Sequence, residues 1–344
     1  MSDRYILRKD HLLPLLRRFA KEYRVIAPTP TPHGDTLFTP LATVEEGSVD
    51  LAHQAQNSAK SFLFPQVEVL FSYTAADCRF TPRNTSRPTI FFGLRSCDLS
   101  AILYMDVIFH TAGDPFYRKK RQDAILISLG CNEPFPNCFC TASRTGPFLE
   151  FGYDLQFTDL GDRFLVEVGR VRGAELVARW GSFFAKASRD DVNAQYQCFL
   201  ESRGRFRLNV PMEQTMRMLA DGADVEDVYA ELSGRCQDCG GCAYICPTCT
   251  CFSIVDQQLD AGGGERLRTW DACTFAGFTR MAGGHDPVDH QRHAIKKRFQ
   301  HKLLHDVRKH KRPSCVGCGR CVGMCFGGVD IVRFITMVAA KEKK

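Results

Sequence analysis

Cys236-Gln-Asp-Cys239-Gly-Gly-Cys242-Ala-Tyr-Ile-Cys246-Pro247 and Cys315-Val-Gly-Cys318-Gly-Arg-Cys321-Val-Gly-Met-Cys325 are the two stretches on which the reading of this chain turns. Both space their cysteines by two, two and three intervening residues. A tight loop with cysteine at every third position can wrap three iron corners of a [4Fe–4S] cubane, and the fourth thiolate comes from elsewhere. When two such runs share a domain, the last cysteine of each serves the other cluster, because the chain after the third ligand turns away. That rule predicts one set of Cys236, Cys239, Cys242 and Cys325, and another of Cys315, Cys318, Cys321 and Cys246. Gly240, Gly241, Gly317 and Gly319 let the backbone approach sulfur and donate N–H bonds.

Two structural zinc sites would use paired cysteines only and leave the third and fourth of each run without a role. The second run departs from the pattern at one point: Phe326 stands where proline usually follows the last cysteine. Four further cysteines, Cys97, Cys131, Cys138 and Cys140, lie in the first half of the chain. Cys97 and Cys131 each follow a strand-like run, so adjacent strand–helix turns can bring them together. The four are read as a candidate third [4Fe–4S] site, the alternative being buried apolar thiols. Cys249 and Cys251 are either substitute ligands or sulfurs packed beside a cluster, the latter being favoured. Cys78, Cys198 and Cys273 are read as structural.

Around these motifs the chain of 344 residues is 44% hydrophobic and 24% charged. That composition excludes extended disorder and collagen-like structure. No apolar run reaches the roughly 18 residues of a membrane span. Arg17-Arg18 is followed by Lys21, Glu22 and Arg24 and not by an apolar stretch, so an export signal is not expected and the cytoplasm is. In that reducing compartment 17 cysteines point to metal binding and not to disulfides. The net charge of +6 is local: residues 291–312 carry nine Lys and Arg against Asp306, and the remainder is slightly acidic. This basic element is read as cluster support or an acidic partner's dock, with a solvated face and nucleic-acid binding as the lesser readings. Its histidines, His293, His301, His305 and His310, are read as surface residues.

The expected fold class is α+β: a mixed α/β N-terminal domain, residues 1–204, followed by a mainly helical, ferredoxin-like two-cluster domain, residues 205–344. Strands are predicted at Arg24 to Ala27, Val67 to Tyr73, Thr89 to Leu94, Ala124 to Leu129 and Arg163 to Val168. A helix from Asp98 to Phe109 completes a βαβ unit. Asp10 is expected to cap a first helix with Leu12, Leu13, Leu16 and Phe19 on its apolar face. Met212 to Leu232 reads as a helix interrupted at Gly222, Val288 to Lys311 as a long basic helix, and Ser202 to Arg207 as the linker. No dinucleotide fingerprint, phosphate-binding loop or nucleophile–base pair occurs. Asp271, His285 and Asp286 are read as solvated or capping groups, so the chain has wires without a site for substrate chemistry.

An ordered series of motifs resembles one group of iron–sulfur subunits over nearly the whole chain. It runs Phe64-Pro-Gln, Gly93-Leu-Arg-Ser-Cys97-Asp98-Leu, Asp114-Pro-Phe-Tyr117, and Cys138-Phe-Cys140 with Gly146-Pro147. It continues with Cys246-Pro-Thr-Cys249, Trp270-Asp-Ala-Cys273 and Met281-Ala-Gly-Gly-His285. The group comprises the beta subunits of sulfhydrogenase, an NAD(P)-linked [NiFe] hydrogenase, and the corresponding iron–sulfur subunits of anaerobic sulfite reductase. The resemblance implies a cytoplasmic electron-transfer subunit between an NAD(P)H-handling flavoprotein and a catalytic subunit with a nickel–iron or sirohaem centre. It also implies that Cys97, Cys131, Cys138 and Cys140 are ligands.

The function expected is a non-catalytic electron relay, hydrogenase first and sulfite reductase second. Two rivals of other classes make different predictions. A reductase with an open-coordinated N-terminal cluster would turn over substrate itself. A zinc-stapled basic module would be colourless and bind DNA in a salt-sensitive way.

Overall fold

The computed structural model describes residues 3–74, 79–260 and 262–343; Cys78 lies outside them. The chain divides into two compact units, Met1–Ala59 with Thr85–Arg207, and Lys60–Asn84 with Leu208–Lys344. In chain order the strands are β1 (Arg4–Arg8), β2 (Arg24–Pro30), β3 (Thr36–Pro40), β4 (Val67–Thr74), β5 (Arg79–Pro82) and β6 (Thr89–Arg95). They continue with β7 (Ala124–Leu129), β8 (Leu155–Asp159), β9 (Arg163–Val168), β10 (Phe184–Lys186), β11 (Phe252–Asp260) and β12 (Gly263–Trp270).

The first unit is built on an eight-stranded sheet in the order β10-β1-β9-β8-β7-β6-β2-β3. Strands β2, β6, β7 and β8 run parallel; the strands at both edges pair antiparallel. β6 and β7 are buried at every residue, as central parallel strands are, which explains their mostly apolar sequences, broken only by Thr89, Arg95 and Ser128. Helix Ser96–Thr111 follows β6 directly and returns the chain toward β7, with helix Pro115–Gln122 in between. Arg95 of β6 pairs with Leu129 of β7, so Cys97 and Cys131 leave the same carboxyl edge, two residues beyond paired positions.

The first helix, Leu12–Ala20, buries Leu12, Leu15, Leu16 and Phe19, with Leu13 only half-buried. Asp10 does not cap it; its carboxylate takes bonds from Arg8, and His11 stands at the cap without a side-chain bond. The expected linker is partly helical as well, since helix Arg189–Gly204 continues through Ser202, which is fully buried.

The second unit is not mainly helical. It contains a four-stranded antiparallel sheet, β11-β12-β4-β5, whose members come from opposite ends of the sequence. Residues 60–84 therefore depart from the division at 204/205 that the sequence suggests. β4 pairs with β12 along its length, and Glu68 and Arg268 form an ion pair within the sheet, both side chains buried. Trp270 Nε1 donates to the Phe64 carbonyl at 3.1 Å and its ring stacks on that of Phe64. Gly262 precedes β12, which opens with Gly263 and Gly264 at the turn end of the β11–β12 hairpin. Helices Met212–Ala220 and Glu226–Ser233 are separated around Gly222, as the sequence indicates. The basic helix begins at Gln291, loosens into a π-turn at His301–His305 and ends at His310. Among the described residues no helix is long and apolar enough to cross a membrane.

Candidate metal centres

The two cysteine runs of the second unit share one backbone path. Asp238 and Gly240 in the first, and Gly317 and Gly319 in the second, adopt left-handed φ values of +52°, +68°, +61° and +74°. At matching positions the chain thus turns twice between cysteines and enters a short helix, Gly241–Tyr244 or Arg320–Met324. Glycine holds three of the four positions because a side chain there is strained. Phe326, in place of the expected proline, is 95% exposed, and the turn is held by the Val329 N–H, which donates to Cys325 Sγ at 3.1 Å.

Sulfurs of the two runs approach one another. Cys242 lies within electrostatic range of Cys236 in its own run, of Cys246, and of Cys325 from the other run. Cys315 and Cys321 lie in range of Cys318 and of Cys246 from the other run. Burial pushes the Cys315 thiol up to about 12 and the Cys321 thiol higher. Thiols so far from ionisation suit a group that supplies its own positive charge, as iron does on binding thiolate. Cys239 is the exposed member, whereas Cys315 and Cys318 are buried. Among the described residues no three His, Cys, Asp or Glu side chains gather around a single ion position. A cubane spreads its thiolates over four iron corners and needs no such point.

Two cations of the basic helix reach the sulfurs. Ala294, Ile295, Arg298, Phe299, Lys302 and Leu303 are all buried, a helical stripe in which two members carry charge. Burial opposes the Arg298 charge, but the sulfurs of Cys242, Cys321, Cys249 and Cys273 outweigh it and raise its pKa. Arg298 also donates to the Val329 carbonyl at 3.2 Å. Lys302 is likewise opposed by burial and raised well above its usual value by Cys246, Cys249 and Cys315. Its Nζ lies 3.4 Å from Cys246 Sγ and 3.1 Å from Thr248 Oγ1. Thr248 in turn donates to the Ser314 carbonyl at 2.5 Å, joining the two cysteine runs. The Cys249 thiol donates to Cys246, whose charge is held well below the ordinary thiol range by that bond and by Lys302 and Lys60.

Lys60, from the segment between the two parts of the first unit, is 2% exposed. Its Nζ donates to the carbonyls of Cys246 and Cys249 at 2.8 and 3.0 Å and sits 4.0 Å above the Trp270 ring. Burial lowers its pKa, against the pull of Cys249 and Cys246. Sequence reasoning missed these cations. Arg298 and Lys302 carried a signal, being i and i+4 within an apolar stripe, whereas Lys60 carried none.

In the first unit Cys97, Cys131, Cys138 and Cys140 are all buried. The Ser96 N–H bonds to the Cys131 sulfur, and burial pushes that thiol up against the pull of Arg95. Arg95, itself buried, lies over the Phe135 ring in the loop between Cys131 and Cys138. The Pro147 carbonyl accepts from Ser96 Oγ at 2.5 Å and from the Cys131 N–H at 3.2 Å. A Cβ at Gly146 would stand 2.8 Å from Cys140 Sγ and 3.3 Å from the Ser96 Cβ. Cys131 and Cys140 therefore meet around Ser96 and Gly146-Pro147, next to Cys97 in sequence. The remaining candidates have local roles. Cys198 Sγ approaches the Asp159 carbonyl, and Asp286 accepts from Thr279 Oγ1 and the Val288 N–H. Asp271 accepts from Ser253 and the Ala272 N–H. His293, His301 and His305 are exposed.

Residues 235–329 match the family model of a 4Fe-4S dicluster domain, which spans both cysteine runs together with Arg298 and Lys302. The whole chain is similar to sulfhydrogenase 2 subunit beta of Pyrococcus furiosus, with 26% identity over 338 residues, 97% of this chain and 98% of the relative. The chain thus carries a 4Fe–4S dicluster domain at residues 235–329 and is similar, through its N-terminal unit as well, to the sulfhydrogenase beta subunit.

Proposed function

We propose that this protein is the iron–sulfur electron-transfer subunit of a hydrogenase-type complex, relaying electrons between an NAD(P)H-linked flavoprotein and catalytic [NiFe] subunits in the cytoplasm. The observation that carries the reading is that the buried Arg298 and Lys302 each face sulfurs of both cysteine runs. One cluster takes Cys236, Cys239, Cys242 and Cys325; the other takes Cys315, Cys318, Cys321 and Cys246. The clusters supply one-electron carriage. The protein's share is to fix their ligands, exclude water and set their charge. Arg298 faces sulfurs of both sets and Lys302 mainly the second, so the two centres are held in unequal fields.

A third [4Fe–4S] cluster on Cys97, Cys131, Cys138 and Cys140 completes the relay in the first unit. Its support is a set of four buried thiols, a backbone donor to Cys131 and the buried Arg95 beside it. The family likeness supports hydrogenase as the complex, because the relative carries that name.

The test is iron and acid-labile sulfide per chain after anaerobic purification, with EPR of the reduced protein. About twelve irons with interacting signals are expected, four per cubane. About eight would confine the relay to the second unit, and a colourless, iron-free protein would end the proposal. Cys246→Ser should remove about four irons and the signal of the Cys315, Cys318, Cys321 centre, although Cys246 lies in the other run.

A further inference from the structure

Among the described residues of the second unit, three cysteines remain when two cubanes have taken their eight thiolates: Cys249, Cys251 and Cys273. Cys249 is spoken for, since its thiol donates to Cys246. Cys251 and Cys273 instead face each other, in thiol-to-thiol hydrogen-bond contact, and the Cys273 N–H also donates to the Cys251 sulfur. The sheet explains the contact. Phe252 of β11 pairs with Trp270 of β12, and the Asp271 N–H donates to the Cys251 carbonyl at 3.0 Å. The two thiols thus sit at the end of the hairpin legs, opposite the glycine turn, where the ladder holds their backbones side by side.

The setting is that of a reactive pair and not of two inert buried thiols. Cys273 is buried and Cys251 half-buried, so one sulfur can be reached while the other waits behind it. Cations act on both: Lys302 and Lys297 on Cys251, and, after the Cys251 sulfur itself, Arg298 and Lys302 on Cys273. The contact with Cys273 and these lysines hold the Cys251 thiol near 7, where thiolate is available at neutral pH. A low-lying thiolate poised beside a second cysteine is the arrangement that oxidises to a disulfide. The pair also adjoins the first sulfur set, because Cys242 and Cys273 act on each other.

We propose that Cys251 and Cys273 form a reversible dithiol–disulfide couple, a two-electron centre set beside the one-electron clusters. On oxidation both sulfurs give up their protons, one S–S bond forms, and two electrons leave singly to the iron–sulfur carriers of the domain. Reduction reverses each step. The inference rests on the two-cluster reading for these acceptors. It gives a chain of single-electron carriers a place to gather the electron pair that hydride chemistry delivers.

The test uses the full chain with its iron, poised anaerobically at a series of potentials, quenched with a maleimide under denaturing conditions and digested for peptide mass analysis. Oxidising poise should remove two alkylatable thiols per chain. Peptides bearing residues 251 and 273 should be recovered joined, in a two-electron transition, with iron content unchanged. Cys251→Ser and Cys273→Ser should each abolish that transition and keep the iron. Full labelling of both sulfurs at every potential at which iron stays bound would overturn the couple. So would loss of one cluster's iron in either variant, which would make that sulfur a ligand. A shortfall of iron in the unaltered chain would count instead against the two-cluster reading, since the joined peptide is scored by mass alone.

Discussion

Lys302 shows how much one residue decides. A lysine ammonium buried this deeply is expelled or neutralised unless anions meet it. Here Cys246 Sγ at 3.4 Å, with Cys249 and Cys315 in range, does so. Lys302→Met removes a positive charge from beside one sulfur set and makes that centre harder to reduce. The reduction potential of the cluster that includes Cys246 is expected to fall by about 60 mV, the one-electron equivalent of about 1.4 kcal/mol. The other centre should shift less, and an EPR-monitored redox titration resolves the two. Equal shifts would mean that Lys302 does not discriminate between the sets.

Among the elements, β4 and the capped helix Arg189–Gly204 make the most testable claims. Glu68 on β4 holds Arg268 on β12, which also faces the rings of Phe64 and Phe252. Glu68→Ala strands a buried guanidinium and should cost about 3–5 kcal/mol in a urea titration. At the start of the helix Ser188 and Asp191 form a capping box, and the Asp191 carboxylate accepts from Ser188 Oγ, the Ser188 N–H and Arg163 Nε at 2.7–2.9 Å. The Ser188 hydroxyl bond first, then its N–H and Arg163, hold that carboxyl below its ordinary value. A depressed carboxylate stabilises in full above its unfolded pKa, near 3.9, and the contribution disappears as pH falls through the lower folded value. Asp191→Ala should therefore cost about 1 kcal/mol at pH 7 and progressively less as pH falls below the unfolded carboxyl pKa. A cost that persists in acid would assign the loss to packing.

At the scale of the whole molecule, residues 60–84 are the consequential surprise. They supply β4, β5, Phe64 and Lys60 to the unit that carries both cysteine runs. A fragment of residues 208–344 contains every cysteine of the dicluster domain, yet leaves β12 paired with β11 alone and the carbonyls of Cys246 and Cys249 without the Lys60 ammonium. Expressed alone, it should retain less than half of the iron of the full chain, and far-UV circular dichroism should show the lost strand content. Iron retention equal to that of the full chain would show that Lys60 and the sheet are dispensable.

What the sequence determined by itself was whatever depends on short-range spacing. Three cysteines within one tight loop fix a cluster-binding path, and Asp238, Gly240, Gly317 and Gly319 adopt the left-handed turns that such a path needs. The largely apolar runs at β6 and β7 announced strands and thereby the shared edge from which Cys97 and Cys131 emerge. Tertiary structure alone decided the rest, because long-range pairing leaves no local period. β4 meets β12 across almost two hundred residues, so neither the sheet of the second unit nor the place of Lys60 was legible. Cys251, read from sequence as packed beside a cluster, and Cys273, read as structural, meet only when the β11–β12 ladder closes. Charge within an apolar stripe, at Arg298 and Lys302, was visible as a pattern, but its meaning came from the sulfurs that folding brought to meet it.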